Sequence, residues 1–382
     1  MTYQPSSPAR YRRWISPQPT TLVIQPDSFC NLACTYCYLP DKHKRAPMSA
    51  EVAAAIATSA TELASPDHPI ELVWHAGEPL AIGVRRFTEL ARPFEPLRQA
   101  GLLQHYVQTN ATLITDAWCD FLMKRQFRVG VSIDGPAALN TERVDRKGRP
   151  AFDRITRGIS RLRERGIPFS VIAVVTTQAI GSPEALLGFL ASLGCHTIGL
   201  NIEEIEGANT ERPQLTIEQA AEFWRRTIAW ARRNPTSSVR EVARLGDYLK
   251  TLRTCQQVNP EAACLDPIPT VSSSGDVVLL SPELAGVTAP EYDDFLAGNV
   301  LSESIAAMLG KAHRLRYVDE FLTGLERCEA GCQFFDFCRG AQAGNRYFEN
   351  GRLDSAETNY CRVSRQALIT ALSDTVREEQ PE

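Results

Sequence analysis

The sequence predicts an α/β chain: a partial (β/α)6 barrel, then a bridging helical region, then a small cysteine-rich domain. Three observations carry that expectation. Short apolar, β-branched runs alternate with helix-like stretches through residues 21–204. Helical character persists to about residue 254 and then gives way to turn-rich sequence. Seven of the 11 cysteines fall in two groups, at 30–37 and 328–361. Uniformly apolar strands imply burial on both faces, hence a parallel sheet covered by helices.

Taken in order, TLVIQP (21–26) is the first strand, and the Ala-rich stretch to residue 63 a helix with Ser49 as its N-cap. ELVWH (71–75) is the second strand; Pro93 and Pro96 interrupt the helical connection that follows it. LQHYVQTN (103–110) and RVGVSID (128–134) flank a helix opened by Thr115 or Asp116. FDRITRGISRLRERG (152–166) is an amphipathic helix closed by its glycine. FSVIAVVTT (169–177) and TIGLNIEE (197–204) complete the six strands, with a helix between them. Residues 216–254 read as helical, 255–361 as low in helical periodicity with a hairpin at Ser274-Gly275, and 362–379 as helix again. The expected division is an extension over 1–20, a barrel over 21–240, the bridging and cysteine-rich part over 241–361, and a terminal helix over 362–382.

The 382 residues are 43% hydrophobic and 23% charged, with 41 basic against 45 acidic side chains. That near balance, without a basic, aromatic-interleaved patch, argues against a nucleic-acid partner or an anionic membrane. No signal peptide or spanning apolar run is present. A cytoplasmic location is therefore expected, where cysteines serve metal or redox chemistry rather than disulfides.

CNLACTYCY (30–38) offers three cysteines, Cys30, Cys34 and Cys37, with no fourth nearby. A structural zinc site wants four ligands. A [4Fe–4S] cluster takes one thiolate per iron, so three leave one iron open, as catalytic metal sites require. The ends of the other strands carry polar clusters: HAGEP (75–79), QTNAT (108–112), SIDG (132–135) and NIEE (201–204). In a barrel, the C-terminal strand ends are where catalytic residues gather.

C-x3-C-x2-C with Tyr36 before the last cysteine, just after the first strand, resembles the radical S-adenosylmethionine (SAM) superfamily. The resemblance implies that the open iron binds SAM and that one electron splits it to a hydrogen-abstracting 5′-deoxyadenosyl radical. Ala76, Gly77, Glu78 and Pro79 resemble that family's GGEP segment, with alanine in place of the first glycine. Ser132 and Asp134 resemble its ribose-contact strand, and Gln108 and Asn110 stand as polar groups of the same site, as does Tyr36.

Cys328, Cys332, Cys338 and Cys361 supply four further thiols; on spacing alone, zinc competes with iron and sulfur there. The resemblance implies a SPASM domain with one auxiliary [4Fe–4S] cluster on these four. A second auxiliary site is not expected, because Gln342, Leu280 and Ser281 stand where its cysteines would be, and Cys255 and Cys264 are too few.

CYLPD, VWHAGEPL, DAWCDF, VGVSIDGP, NIEEIEGANT, LSPEL, YFENG and ETNYCR together resemble the cyclophane-forming (triceptide) peptide maturases of the GrrM/OscB type. That implies an oxidoreductase joining an aromatic side chain to the β-carbon of a nearby residue on a ribosomal precursor peptide. The implied partners are that peptide and an external one-electron reductant of flavodoxin or ferredoxin type. Glu203, Glu204 and Glu283 are candidate bases for the proton lost on rearomatisation. About twenty residues precede the first strand, too few for a peptide-recognition domain of the usual kind. The alternatives are thioether or formylglycine formation on a peptide, or an iron–sulfur electron carrier without chemistry of its own.

Overall fold

The computed structural model describes residues 6–254, 264–340 and 342–379; Cys255 lies outside them. A helix α1 (Pro8–Trp14) leads into β1 (Thr21–Ile24), α2 (Ala50–Leu63) and β2 (Ile70–Trp74). Then come α3 (Val84–Ala91), α4 (Glu95–Gln99), β3 (Leu103–Thr109), α5 (Asp116–Lys124) and β4 (Arg128–Ser132). The alternation continues through α6 (Phe152–Glu164), β5 (Phe169–Val175), α7 (Pro183–Ser192) and β6 (Thr197–Ile202). All six expected strands are present and pair in parallel, β1 to β6 in chain order.

Local chemistry sets these boundaries. Ser49 accepts from the Val52 N–H and starts α2; Thr115 does the same for Trp118 and starts α5. Gly166, at φ +64°, takes the chain out of α6. Pro93 and Pro96 sit in the first turns of a 3-10 segment (Arg92–Phe94) and of α4, where their missing N–H groups cost nothing.

One expectation needs correction. The strands are not uniformly buried on both faces: β3 and β5 alternate buried and half-buried positions along their length. One face packs under the helices. The other face of this open sheet surrounds a cavity, and Gln108, Ile172 and Val174 look into it.

Beyond the barrel, α8 (Ile217–Arg233) is followed by a two-residue parallel strand β7 (Ser238–Val239) and α9 (Arg240–Thr254). The hairpin at Ser274-Gly275 is present as β8 (Thr270–Val271) and β9 (Asp276–Val278), with Gly275 at φ +94°. β10 (Leu296–Asn299) adds a third antiparallel strand. β8 runs parallel to β1, so all ten strands form one sheet in the order β10-β9-β8-β1-β2-β3-β4-β5-β6-β7.

The segment expected to lack helical periodicity instead contains α10 (Ile305–Lys311), α11 (Arg316–Gly331), α12 (Phe335–Cys338) and α13 (Ala343–Asn350). Tyr317, Val318, Phe321, Leu322, Leu325 and Cys328 form the buried stripe of α11 at helical spacing. That stripe is present in the sequence, and its last member, Cys328, is both a core residue and a candidate ligand. A π-helical turn, Cys361–Gln366, leads into the terminal helix α14 (Ala367–Glu379), which packs on α8. At the other terminus, Arg10 of α1 forks onto Glu326 of α11 at 2.7 and 2.8 Å. Among the described residues no helix is long and apolar enough to cross a membrane.

Candidate active site

A cavity of about 500 Å³ opens where the C-terminal ends of the barrel strands meet the later helices. Cys30, Cys34, Cys37 and Tyr36 form one wall. Ala76 and Gly77 after β2, Gln108 and Asn110 at the end of β3, and Ser132 at the end of β4 line it beside them. Glu203, Glu204 and Glu283 line it further round. The strand-end clusters, scattered over more than a hundred residues, thus surround one space.

The cysteine loop is held by backbone rather than by disulfides; all three thiols are free. Gly77 lies at φ +56° directly under it, and a Cβ there would sit 2.5 Å from the Phe29 carbonyl oxygen. Only glycine fits that contact. Ala76, also left-handed at φ +70°, carries a strain that glycine in its place would not. Glu78 and Pro79 sit behind the cavity wall. The fully buried Glu78 carboxylate accepts from Leu80 N, Asn110 N and Thr109 Oγ1 at 2.7–3.0 Å, clamping the end of β3 to the turn. Burial outweighs those bonds and lifts its pKa to about 7.

Gln108 donates from Nε2 to Ser132 Oγ at 2.8 Å, so the two expected contacts form one polar ledge. Asn110 donates to Asn31 Oδ1 at 2.9 Å and approaches Cys30 Sγ at 3.9 Å. Asp134 lies one layer deeper, almost fully buried. It accepts from Tyr36 Oη at 2.5 Å and from Val174 N at 2.9 Å, and pairs with the buried Arg143 at 2.9 Å. Its place is behind the cysteine loop, steering Tyr36 and Arg143.

The carboxylates separate into two kinds. Glu203 is ion-paired with Arg212, which also holds Glu142 at 2.7 Å. Glu204 is half-buried and receives an N–H from Asn345 Nδ2, which also donates to Glu206 at 3.0 Å. Desolvation pushes the pKa values of Glu204, Glu206 and Glu283 up, Glu204 to about 8; Glu283 adds to the rise at Glu204, and both neighbours add to it at Glu206. Ser281 Oγ donates to Glu283 at 2.6 Å. Glu206 and Asn345 were not singled out in the sequence. Glu206 follows two residues after Glu204, on the same side of an extended chain, and that alternation was the available signal. Asn345 comes from α13 and could be placed only by tertiary packing.

Cys328, Cys332, Cys338 and Cys361 line a second, smaller cleft. Arg346 Nη2 donates to Cys328 Sγ at 3.4 Å and Gln366 Nε2 to Cys361 Sγ at 3.3 Å. N–H groups aimed at buried sulfur suit thiolates, and thiolates are what iron binds. At the first site burial, with smaller contributions from neighbouring acids and thiols, lifts Cys30 to about 12 and Cys34 to about 11, so a metal would have to displace their protons. Among the described residues no three His, Cys, Asp or Glu side chains converge on a point as ligands of one ion do. Three thiols on one space and four on the other match a polynuclear cluster, which takes one thiolate per iron. Both donor sets therefore fit [4Fe–4S] clusters. Leu280, Ser281 and Gln342 hold no thiol, and Cys264 points its sulfur to the Arg12 and Arg13 carbonyls.

Residues 24–190 match the family model of the radical SAM superfamily. An uncharacterized protein of Synechocystis is 32% identical over 94% of this chain and 93% of its own length. A serine-type anaerobic sulfatase-maturating enzyme of Bacteroides thetaiotaomicron is 30% identical over 47% of this chain and 45% of that protein. The structure of anSMEcpe with bound AdoMet and Kp18Cys peptide superimposes with a TM-score of 0.73 at 22% identity, covering 94% of this chain and 98% of that one. That likeness establishes the shared fold, α/β barrel and C-terminal region together.

Proposed function

The chain belongs to the radical SAM superfamily and is an enzyme using SAM and [4Fe–4S] chemistry, and we propose that it is a peptide maturase forming a cyclophane. In that reaction an aromatic side chain is joined to the β-carbon of a nearby residue of a ribosomally made precursor peptide. One observation supports this above others. A cavity is walled by the three-cysteine loop, by Glu204 with Glu283, and by Ser364 and Arg365 of the turn that begins at Cys361. A radical source, a proton acceptor and an electron acceptor would thus adjoin one substrate space.

Cys30, Cys34 and Cys37 would hold the first cluster, and Cys328, Cys332, Cys338 and Cys361 the second. When bound, these groups supply hydrogen-atom abstraction from a substrate carbon and removal of one electron. Ala76, Gly77, Gln108, Asn110 and Ser132 would bind and orient SAM, with Tyr36, Asp134, Glu78 and Pro79 fixing the wall behind them. Closing the new C–C bond removes one hydrogen atom, one electron and one proton from the peptide. Glu204 is the side chain for the proton. It faces the cavity, Asn345 fixes its orientation, and its raised pKa places it near neutral pH, where a general base works best. Glu203 is tied up by Arg212, which leaves it a structural role. Barrel and bridging region take residues 21–240 and 241–361 in this scheme.

Likeness to the sulfatase-maturating enzyme favours a second chemistry, oxidation of a peptide serine or cysteine to formylglycine. Mass spectrometry of a precursor peptide treated with reconstituted, reduced enzyme and SAM decides between them. Both chemistries at a serine remove two hydrogens. Fragments bridged between an aromatic residue and a nearby β-carbon support the cyclophane, and an aldehyde-bearing residue overturns it.

A further inference from the structure

The cavity has a cationic wall with no assigned role. Arg240, Arg244 and Glu241 lie on one face of α9, and Ser364 and Arg365 lie on the π-helical turn opposite. Arg240 is neutralised by Glu241 and bonded to Asn201 at 2.7 Å. Arg244 and Arg365 are not. Arg244 rests on the Phe337 ring, 5.5 Å from its centroid, and Arg365 donates from Nη2 to the Tyr360 hydroxyl at 2.9 Å. Among the described residues neither guanidinium has a carboxylate within ion-pair distance. Burial and the nearby Arg365 disfavour the charge of Arg244, while Tyr360, Cys338, Glu241 and Glu204 favour that of Arg365. Arg365 Nε and the Ser364 hydroxyl, on a residue only 7% exposed, are buried without hydrogen-bond partners.

Two guanidinium groups without a close ion-pair partner and two unsatisfied polar atoms on one cavity wall are costly unless a ligand completes them. Guanidinium forks match the two oxygens of a carboxylate. The first cysteine loop has its own arginine, Arg143, already paired with Asp134, so these two stand on a different side of the cavity.

We propose that Arg244 and Arg365, with Ser364, form a carboxylate-binding subsite that anchors an acidic group of the peptide substrate. The occupant is a carboxylate from an Asp or Glu side chain or from a chain terminus. This rests on the peptide-maturase assignment for the nature of the ligand, but its test does not depend on turnover.

Reconstituted holoenzyme is titrated with N-acetylglutamate α-amide and N-acetylglycylglycine, each against its neutral amide analogue, by ligand-observed NMR. At least one carboxylate probe should bind where its neutral analogue does not, and Arg244→Gln and Arg365→Gln should each weaken it about ten-fold or more. The first probe winning assigns a side-chain carboxylate; the second assigns a chain terminus. Because Arg365 is largely buried, Arg244→Gln and Ser364→Ala serve as variants less exposed to misfolding, with thermal melts confirming the fold. Equal binding of neutral and charged probes overturns the subsite. So do unchanged affinities accompanied by a shifted potential of the auxiliary cluster, which would make the arginines its counter-charges. SAM cleavage and peptide modification are assayed on the same wild-type preparation. Modification without carboxylate binding sinks the subsite alone, and carboxylate binding without modification sinks the maturase assignment alone.

Discussion

Tyr36 and Asp134, 98 residues apart, are joined by a hydroxyl-to-carboxylate hydrogen bond of 2.5 Å behind the cysteine loop. Asp134 also balances Arg143, and both side chains are at most 8% exposed. Asp134→Asn keeps the shape but leaves Arg143 charged and unpaired in the interior. It should cost about 3–5 kcal/mol in urea unfolding. Tyr36→Phe, which removes only one hydrogen bond, should cost about 1–3 kcal/mol. If the two variants are equally stable, the Asp134–Arg143 pair does not hold this wall.

Ala76 and Gly77 give a paired test of the turn beneath the loop. Ala76→Gly relieves a left-handed alanine and should stabilise the protein by up to about 1 kcal/mol after the flexibility of glycine is discounted. Gly77→Ala places a methyl within 2.5 Å of the Phe29 carbonyl and should destabilise by about 2 kcal/mol or more. Thermal melts of the two variants should move in opposite directions.

Stability should fall as pH rises from about 6.5 to 8; below that range His75 and His105, which burial keeps neutral with pKa values lowered to about 4 and about 3, oppose the trend. Glu204 and Glu78 have folded-state pKa values raised to about 8 and about 7, so the folded chain holds protons that the unfolded chain has released. Their favourable contribution is complete below the ordinary carboxylate range and is lost through this window. Each such carboxyl adds a slope of up to about 1.4 kcal/mol per pH unit. Glu204→Gln, permanently uncharged, should flatten the profile and be the more stable protein at pH 8. It should also leave SAM cleavage in place while crosslinking per SAM cleaved drops about 100-fold or more. Full crosslinking by this variant would remove Glu204 from the base role.

Iron analysis tests the two cysteine sets together. Anaerobically reconstituted protein should hold about eight iron atoms per chain, and a variant with both Cys338 and Cys361 changed to Ala about four. That variant should still release 5′-deoxyadenosine but fail to complete the crosslink. About twelve iron atoms in the wild type, or zinc in either set, contradicts the assignment.

The sequence made the barrel legible because strand and helix periods alternate cleanly, and the cysteine loop legible because three ligands at fixed short spacing admit few uses. Placing HAGEP, QTNAT and SIDG at strand ends required only that the sheet be parallel. Asp134, expected among the SAM contacts, lies one layer behind the residues that line the cavity, since a motif gives position along the chain but not depth. Arg244 and Arg365 reach the cavity, and Asn345 reaches Glu204, from helices and turns that only packing places, whereas Glu206 is legible from its alternation with Glu204. The strand β7 escaped notice because two residues carry no period, and α11 because its stripe ends in a cysteine.

The hairpin that carries β8 does more than approach the barrel. It covers the outer flank of β1, the strand whose end launches the first cysteine loop. Cutting the chain after α9 would bare the main-chain donors and acceptors of that strand as a template for other chains. A shortened barrel should therefore self-associate and precipitate rather than persist as a tidy half-protein, and its thiol trio would be among the first parts disturbed.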